Sequence, residues 1–220
     1  MDFAREAAEL LPYIQNHRRH IHQYPELSFR EKETTEYIQK ELESMGIEVI
    51  RFSDYYGLIG VLKGGRAGKT VLLRADIDAL GIREENELDF CSVHAGVMHA
   101  CGHDCHSAML LGAAKILSAY RDALKGTVKF LFQSAEESGH GANYYVDHGC
   151  LDGVDAAMAI HMMNEIPEGT FSIEAGPRMA SCTDFTLTVH GVATHGSMPH
   201  LGHDAIVAAS AVIMNLQTLV

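Results

Sequence analysis

The chain has 220 residues, of which 47% are hydrophobic and 21% charged, and its formal net charge is −12. This length and composition are typical of a globular protein with one core and part of a second domain. The negative charge repels phosphate backbones and argues against nucleic-acid binding. No apolar run approaches the roughly 20 residues that span a bilayer. We therefore expect neither nucleic-acid nor membrane partners.

The cysteine content indicates a reducing compartment. The five cysteines are odd in number and irregularly spaced, which argues against a disulfide framework. The opening "MDFAREAAEL" lacks the basic and apolar regions of a secretory signal. We expect a cytoplasmic protein.

The first elements along the chain are predicted to be helices. Apolar residues recur at helical spacing over residues 4–25 and stop at Pro25. A second helix is predicted from Ser28 to Met45, because Ser28 and Glu31 have the spacing of a capping box.

Strands and helices then alternate. The runs "IEVIRF", "LIGVLKG" and "KTVLLRADID" predict strands, and "LKGGRAGKT" predicts a hairpin turn between the last two. A helix over about 107–124, the strand "GTVKFLFQ", the short helix "GANYYVDHG" and the strand "DAAMAIH" follow. This alternation predicts an α/β sandwich with a mixed, largely parallel central sheet.

The pattern changes after Gly176-Pro177. "DFTLTVHGV" alternates like a half-buried strand, and an amphipathic helix follows it, with Asp204 at its N-terminus. We divide the chain into residues 1–177 and the beginning of a second, α+β domain at 178–220. We expect the second domain to be incomplete, because one strand and one helix cannot bury both of their faces.

Three predicted strands end in side chains that can bind metal. Asp76 and Asp78 end one strand, Glu136 and Glu137 follow another, and His161 ends a third. Sites in open α/β sheets lie at the carboxyl ends of strands, so these groups are expected to meet at one edge. Adjacent glutamates suit a division of roles, with one binding metal and the other acting as a general base.

The segment "MHACGHDCH" adds soft and basic ligands just before a helix. Thiolate and imidazole groups suit zinc and similar metals. On one helix Cys101 and His103 would point about 200° apart, so they can share a metal only from a loop, and Gly102 allows the bend.

The remaining cysteines and histidines are given ordinary structural roles. We interpret four cysteines as small core residues: Cys91, Cys105, Cys150 and Cys182. Three histidines are interpreted as residues of a surface helix: His17, His20 and His22.

These segments together resemble a known family, the amidohydrolase branch of the dinuclear zinc exopeptidases. That branch includes hippurate hydrolases, N-acyl-L-amino-acid amidohydrolases and auxin-conjugate hydrolases. The resemblance covers nearly the whole chain, in the family's order and spacing. It is carried by "HQYPELSFRE", "LLRADIDAL", "MHACGHDCHSAMLLGAA", "FLFQSAEESGHGA", "DAAMAIHM" and "THGSMPHLGHDAI". It implies a zinc-exopeptidase-like sandwich followed by a lid, or dimerisation, domain.

The resemblance also implies roles for matching residues. Glu136 matches the general base that deprotonates a metal-bridging water, and Asp78 matches a carboxylate that orients the site. Asp76 is a further candidate for support behind the ligands, and His195 matches a lid histidine that contacts substrate. Four residues match metal ligands: Cys101, His103, Glu137 and His161.

The activity implied by the resemblance is hydrolysis of the amide bond of N-acyl amino acids by a homodimer. The family site holds two divalent ions, which are Zn, Mn, Co or Ni. Family chains continue through the lid and supply a late histidine ligand for the second ion. We therefore expect these 220 residues to bind fewer than two ions firmly, and their own activity is left open.

Two alternative functions remain. The same metal chemistry would serve an aminopeptidase or carboxypeptidase that acts on short peptides. A catalytically incomplete fragment would act only as a metal-binding or interaction module.

Overall fold

The computed structural model describes residues 2–181 and 183–219. Their contacts divide the chain into two units, Met1–Ile173 and Glu174–Val220. The first unit contains a five-stranded sheet with helices on both faces. None of the helices within the described residues is long and apolar enough to cross a membrane.

The first unit has five α-helices. They are α1 (Phe3–Glu9), α2 (Leu11–Gln23), α3 (Lys32–Ser44), α4 (His103–Ala119) and α5 (Gly141–Asp147). The single helix predicted over residues 4–25 is interrupted at Leu10. Pro12 lies in the first turn of α2, where its missing N–H breaks no helical hydrogen bond.

The predicted capping box of the second helix is wrong. Helix α3 begins at Lys32, and Glu31 makes no side-chain cap hydrogen bond. The carboxylate of Glu26 instead accepts hydrogen bonds from the backbone N–H groups of Glu33 (3.1 Å) and Thr34 (2.8 Å). Backbone N–H groups in the first turn of α3 thus have an acceptor outside the helix, so Ser28 and Glu31 are free to make other contacts.

The sheet is mixed, as the sequence predicted. Its strands are β1 (Glu48–Arg51), β2 (Leu58–Lys63), β3 (Arg66–Asp76), β4 (Lys125–Gln133) and β5 (Ala156–Ala159). Their spatial order is β1-β2-β4-β3-β5. Strand β3 runs parallel to β4 and β5, whereas β2 runs antiparallel to β1 and β4.

The predicted hairpin between β2 and β3 is wrong, because β4 lies between these two strands. Strand β4 ends in a run that is buried on both faces, with Phe130 and Phe132 on one face and Leu131 on the other. Such a strand is most stable in the centre of a sheet, where both faces are covered. Alternation of apolar residues reports burial but does not identify the neighbouring strand.

Two hydrophobic clusters hold the layers together. On one face of the sheet, Phe130 and Phe132 pack with Ile38 of α3 and Leu111 of α4. On the other face, Leu131 packs with Tyr145 of α5. Each large apolar side chain that is fully buried contributes about 1.5–3 kcal/mol. The sheet is therefore held firmly near the strand ends that carry the polar residues.

The second unit contains a 3₁₀ turn at Pro199–Leu201 and helix α6 (Ala205–Leu216), followed by a 3₁₀ turn at Gln217–Leu219. The side chain of Asp204 caps α6 by accepting from the N–H groups of Ile206 and Val207, as expected. The strand predicted over 184–192 is absent from this described segment, which has one isolated bridge between Val192 and His203. A lone strand has no partner for its hydrogen bonds.

Candidate metal centre

The polar strand ends meet at one edge of the sheet. Strands β3, β4 and β5 are parallel, so their carboxyl ends point the same way. Asp76, at the end of β3, is paired with Gln133, at the end of β4. His161 follows β5 by two residues. This edge is the position that the sequence predicted for the site.

His103 is the central residue of this edge. It is the first residue of α4, its side chain is 1% exposed, and its Nδ1 donates to the carbonyl oxygen of Asp78 at 2.8 Å. Its Nε2 is buried without a hydrogen-bond partner. Three carboxylates face that atom: Asp76 at 3.5 Å, Glu137 at 3.7 Å and Glu136 at 3.8 Å.

This environment suits a cation. A neutral Nε2 presents a lone pair to three carboxylates, which is unfavourable unless a proton or a metal ion lies between them. Burial opposes a charge on His103, but the hydrogen bond to Asp78 and the charge of Asp76 raise its pKa. The same field would hold a divalent ion, so the residues fit the metal that the family resemblance implies.

The thiol of Cys101 completes the cluster. Gly102 has a φ of 104°, a left-handed conformation that glycine adopts freely. The ligand atoms of Cys101, His103 and Glu137 all lie within 4.8 Å of one another, and Cys101 Sγ lies 3.6 Å from His161 Nε2. Ligands about 2.0–2.3 Å from one ion lie within about 4.6 Å of each other, so only a small closure is needed.

The charge state of these ligands depends on a cation. Burial and the nearby Glu137 carboxylate raise the pKa of Cys101 to about 12. Burial and Glu136 also raise the pKa of Glu137, although His103 opposes this shift. A bound metal stabilises the thiolate and the carboxylate, so binding should release the thiol proton.

A second group of possible ligands, Asp76, His103 and His106, is less suitable. Nδ1 of His106 donates to Asp76 at 2.6 Å, and its Nε2 accepts from the Met162 N–H at 2.9 Å. Arg74 donates to the other carboxylate oxygen of Asp76 at 2.6 Å. Because both nitrogens of His106 are in use, this residue supports the backbone next to His161 instead. The sequence assigned no role to it.

These contacts limit Asp76 to supporting other residues. Burial opposes its ionisation, but the hydrogen bond from His106 and the charges of His103 and Arg74 hold the pKa of Asp76 far below its usual range. Both oxygens are occupied by His106 and Arg74, in keeping with the expected place behind the ligands.

Asp78 connects two candidate ligands. One oxygen lies 3.2 Å from His103 Nδ1, and the other accepts from the Glu137 N–H at 3.0 Å and from Ser28 Oγ at 2.7 Å. Burial opposes ionisation, but the neighbouring His103 ring and the hydrogen bonds from Ser28 and the Glu137 N–H lower the pKa of Asp78. Asp78 therefore orients both sides of the site, and Ser28 anchors Asp78.

Glu31 is a buried acid that lies beneath the same loop. Its Oε1 accepts from the Ala135 N–H at 2.8 Å, and burial raises its pKa to about 7. Sequence analysis interpreted Ser28 and Glu31 as a capping box and therefore missed their contacts at this site. Helical spacing explains such a pair locally, and a single sequence carries no signal that a distant loop needs them.

The interpretation of His17 and His22 as surface residues is wrong, because both are buried. His22 joins two carboxylates, Asp104 at 2.8 Å and Glu84 at 3.0 Å. The hydrogen bond with Asp104 raises the pKa of His22, against the effect of burial. Since Asp104 follows His103, this network anchors the first turn of α4.

His195 lies in the second unit. Its Nδ1 is 2.8 Å from Ser197 Oγ and accepts from the Ser197 N–H at 3.2 Å. These contacts hold the ring within its own turn. The contact of His195 with substrate stays a prediction.

Comparison with known proteins identifies the family. The model of "Peptidase family M20/M25/M40" matches residues 72–217, well over half of the chain. The chain belongs to this family, which confirms the resemblance.

Two curated relatives are similar in sequence. An N-acetyl-L-cysteine deacetylase of Bacillus subtilis is 46% identical over 92% of this chain and 49% of its own length. An N-acyl-L-amino acid amidohydrolase of Geobacillus stearothermophilus is 44% identical over 92% of this chain and 55% of its own length. The chain thus spans about half the length of the curated relatives it matches.

A solved structure shows the same fold. It is a Bacillus subtilis protein described as a dinuclear metal-binding peptidase of the M20 family. It aligns with a TM-score of 0.73 and 44% identity, over 76% of this chain and 47% of its own. The expected α/β fold class is thereby confirmed.

Proposed function

We propose that this protein hydrolyses the amide bond of N-acyl amino acids with the help of divalent metal ions. The observation that carries the proposal is the buried Nε2 of His103, which faces Glu136, Glu137 and Asp76 without a hydrogen-bond partner. The names of the two amidohydrolase relatives support the substrate class.

Four side chains would hold the metal: Cys101, His103, Glu137 and His161. When bound, two such ions polarise the amide carbonyl and lower the pKa of a water molecule. A set with thiolate, imidazole and carboxylate donors suits zinc, and Mn, Co and Ni are the other candidates. We propose that this chain by itself binds fewer than two ions firmly.

Glu136 is the proposed general base. Its side chain is 42% exposed, against 22% for Glu137, and its Oε2 lies 3.8 Å from His103 Nε2. It is therefore accessible to water while lying beside the ligand cluster. Glu136 takes a proton from the attacking water and returns it to the nitrogen of the leaving amine. Asp78 keeps His103 and Glu137 in place, and His195 contacts the substrate.

The proposal is tested by metal analysis combined with a panel of N-acyl amino acids. Both measurements are made on this chain and on a form as long as its relatives. We expect metal binding in both forms and release of the free amino acid by the longer form. A longer form that binds metal but cleaves no N-acyl amino acid would contradict the proposed function.

A peptidase activity on short peptides is the second candidate. It is supported by the peptidase description of the similar Bacillus subtilis structure. Hydrolysis of a dipeptide and of the matching N-acetyl amino acid separates the two. Faster cleavage of the dipeptide would favour an aminopeptidase or carboxypeptidase.

We also propose a homodimer formed through residues 178–220. The support is the apolar surface of α6, on which Ile206 is 78% exposed and Ile213 is 59% exposed. A second copy that covers this surface would remove it from water. Light scattering should show a dimer that Ile213→Glu converts to a monomer. A monomer before the substitution would refute this assembly.

A cytoplasmic location is proposed as well. The described cysteines are all free thiols: Cys91, Cys101, Cys105 and Cys150. Reduced thiols are typical of a reducing compartment. Fractionation of cells that produce the protein tests this proposal.

A further inference from the structure

We propose that Glu31 is a positioning residue for the metal centre. It holds Glu136 and Glu137 in place through the backbone of Ala135. The inference rests on the proposed function, which gives these two glutamates their roles as base and ligand.

The backbone at Ala135 is held in an unfavourable conformation. Its φ is 55°, in the left-handed region, and the residue is completely buried. Among the residues that the structure describes, Phe29 is the one other non-glycine residue with positive φ. A side chain with a Cβ makes this conformation costly, so the surrounding structure must enforce it. Ala135 is also the last residue before the turn that carries Glu136 and Glu137.

The backbone of Ala135 meets the carboxylate of Glu31. Its Oε1 accepts from the Ala135 N–H at 2.8 Å. The second oxygen, Oε2, is buried without a hydrogen-bond partner. Glu31 is completely buried, so the hydrogen bond at Oε1 offsets part of the cost of burying the acid. Since Glu26 serves the N-terminus of α3, the carboxylate of Glu31 is available for this contact.

The residues on both sides of Ala135 are anchored separately. The Ser134 N–H donates to the hydroxyl of Tyr145 at 3.0 Å, and the Glu137 N–H donates to Asp78 at 3.0 Å. Glu31 holds the residue between these anchors. Without it, the buried Ala135 N–H would lose its acceptor, and the turn would relax toward an ordinary conformation. Both glutamates would then move away from His103.

The test measures Co2+ binding, whose thiolate absorption reports the Cys101 cluster. Glu31→Met keeps the size of the side chain and removes the acceptor. It should weaken Co2+ binding by about 10- to 100-fold, which corresponds to leaving the buried Ala135 N–H without an acceptor. Glu31→Gln keeps an acceptor oxygen and should stay within about threefold of the wild-type affinity.

The matched control is Glu26→Ala in the same segment. It removes the acceptor of two helical N–H groups, so it should lower the melting temperature without changing the affinity for Co2+. If Glu31→Met also lowered only the melting temperature, Glu31 would have a structural role alone. That result would overturn the proposal.

A second variant tests the role of the backbone. Glycine adopts the left-handed conformation without steric cost, so Ala135→Gly in the Glu31→Met protein should restore most of the Co2+ affinity. If the Co2+ affinity did not recover, the proposal that Glu31 positions the two glutamates through Ala135 would be contradicted.

Hydrogen exchange keeps the proposal testable if Glu31→Met fails to fold. In the wild-type protein the Ala135 amide should exchange at least about 100-fold more slowly than in an unfolded chain. Exchange at the unfolded rate would refute the hydrogen bond. None of these measurements uses a substrate. A form as long as the relatives that binds metal but lacks hydrolytic activity would refute the proposed function, and the outcome for Glu31 would stand separately.

Discussion

The two sides of the candidate metal centre differ in how their side chains are held. The buried side has side chains no more than 1% exposed, and each contacts residues from other elements: Asp76, Asp78 and His103. The open side consists of Cys101, Glu136, Glu137 and His161, where the two glutamates are 42% and 22% exposed. The buried side is therefore formed by folding, whereas the open side needs a bound cation to bring its ligands to bonding distance.

This difference separates stability from chemistry. A change on the open side removes few contacts within the folded chain, so it should affect metal binding or turnover alone. A change on the buried side leaves hydrogen-bonding groups without partners, which lowers the free energy of unfolding as well. Substitutions on the two sides test this distinction directly.

The largest effect is expected on the open side for Glu136→Gln. The amide cannot accept a proton from water, so turnover of the N-acyl amino acid by a form as long as the relatives should fall by about 10²–10⁴-fold. Metal content and the free energy of unfolding should not change. Steady-state kinetics, metal analysis and urea unfolding check these three quantities. If Glu136→Gln lost most of its metal, Glu136 would itself be a ligand, and the separate roles of Glu136 as base and Glu137 as ligand would be contradicted.

The neighbouring substitution, Glu137→Gln, should act on the metal. Loss of a residue that merely supports a ligand weakens metal binding by about 10–100-fold, so loss of the ligand itself should cost about 100-fold or more. Competition with a chelator measures the affinity. Glu136→Gln is the matched control, since it changes the same chemical group one residue away. Equal affinities in the two variants would show that Glu137 is not a ligand.

On the buried side, Asp78→Asn should change both the metal affinity and the stability of the protein. Metal affinity should fall by about 10–100-fold, and the free energy of unfolding should fall by about 1–3 kcal/mol. The reason is that one oxygen of Asp78 accepts from Ser28 and the Glu137 N–H while the other faces His103 Nδ1, so an amide that keeps the first two contacts turns its NH2 group toward the Nδ1 donor. Urea unfolding of the metal-free protein measures the stability. An unchanged midpoint would break the proposed contrast between the two sides.

The smallest effect concerns the pH dependence of stability at Glu31. Its pKa is about 7 in the folded protein, against 4.5 for the ordinary group. The folded state therefore retains a proton that the unfolded state releases, and stability from this group is present below pH 4.5 and lost as the pH rises through 7. The loss should be about 1–3 kcal/mol.

Urea unfolding of the metal-free protein at pH 4.5 and pH 8 checks this prediction. Glu31→Gln should remove this part of the pH dependence, and Glu31→Met should do the same because neither side chain titrates. If the wild-type protein and Glu31→Gln lost the same stability between these pH values, the buried acid would not have the stated pKa.

Sequence patterns predicted which side chains meet at this edge of the sheet, because these residues follow regular elements. Asp76, Glu136 and His161 each lie at or just beyond the end of a strand, and parallel strands place such ends together. The same patterns missed Ser28, Glu31, His22 and His106. Their partners lie far away in sequence, such as Ala135 for Glu31 and Asp104 for His22. A local pattern such as a capping box then explains the residue equally well.

The sequence by itself determined the α/β class, the positions of the five strands of the sheet and the set of side chains at its polar edge. These properties depend on hydrophobic periodicity and on the order of residues along the chain. Only the tertiary structure decided that β4 lies between β2 and β3, and that Glu31 contacts Ala135 rather than capping α3. Strand pairing and buried hydrogen bonds join residues that are distant in sequence, and packing selects among partners that a local pattern cannot distinguish.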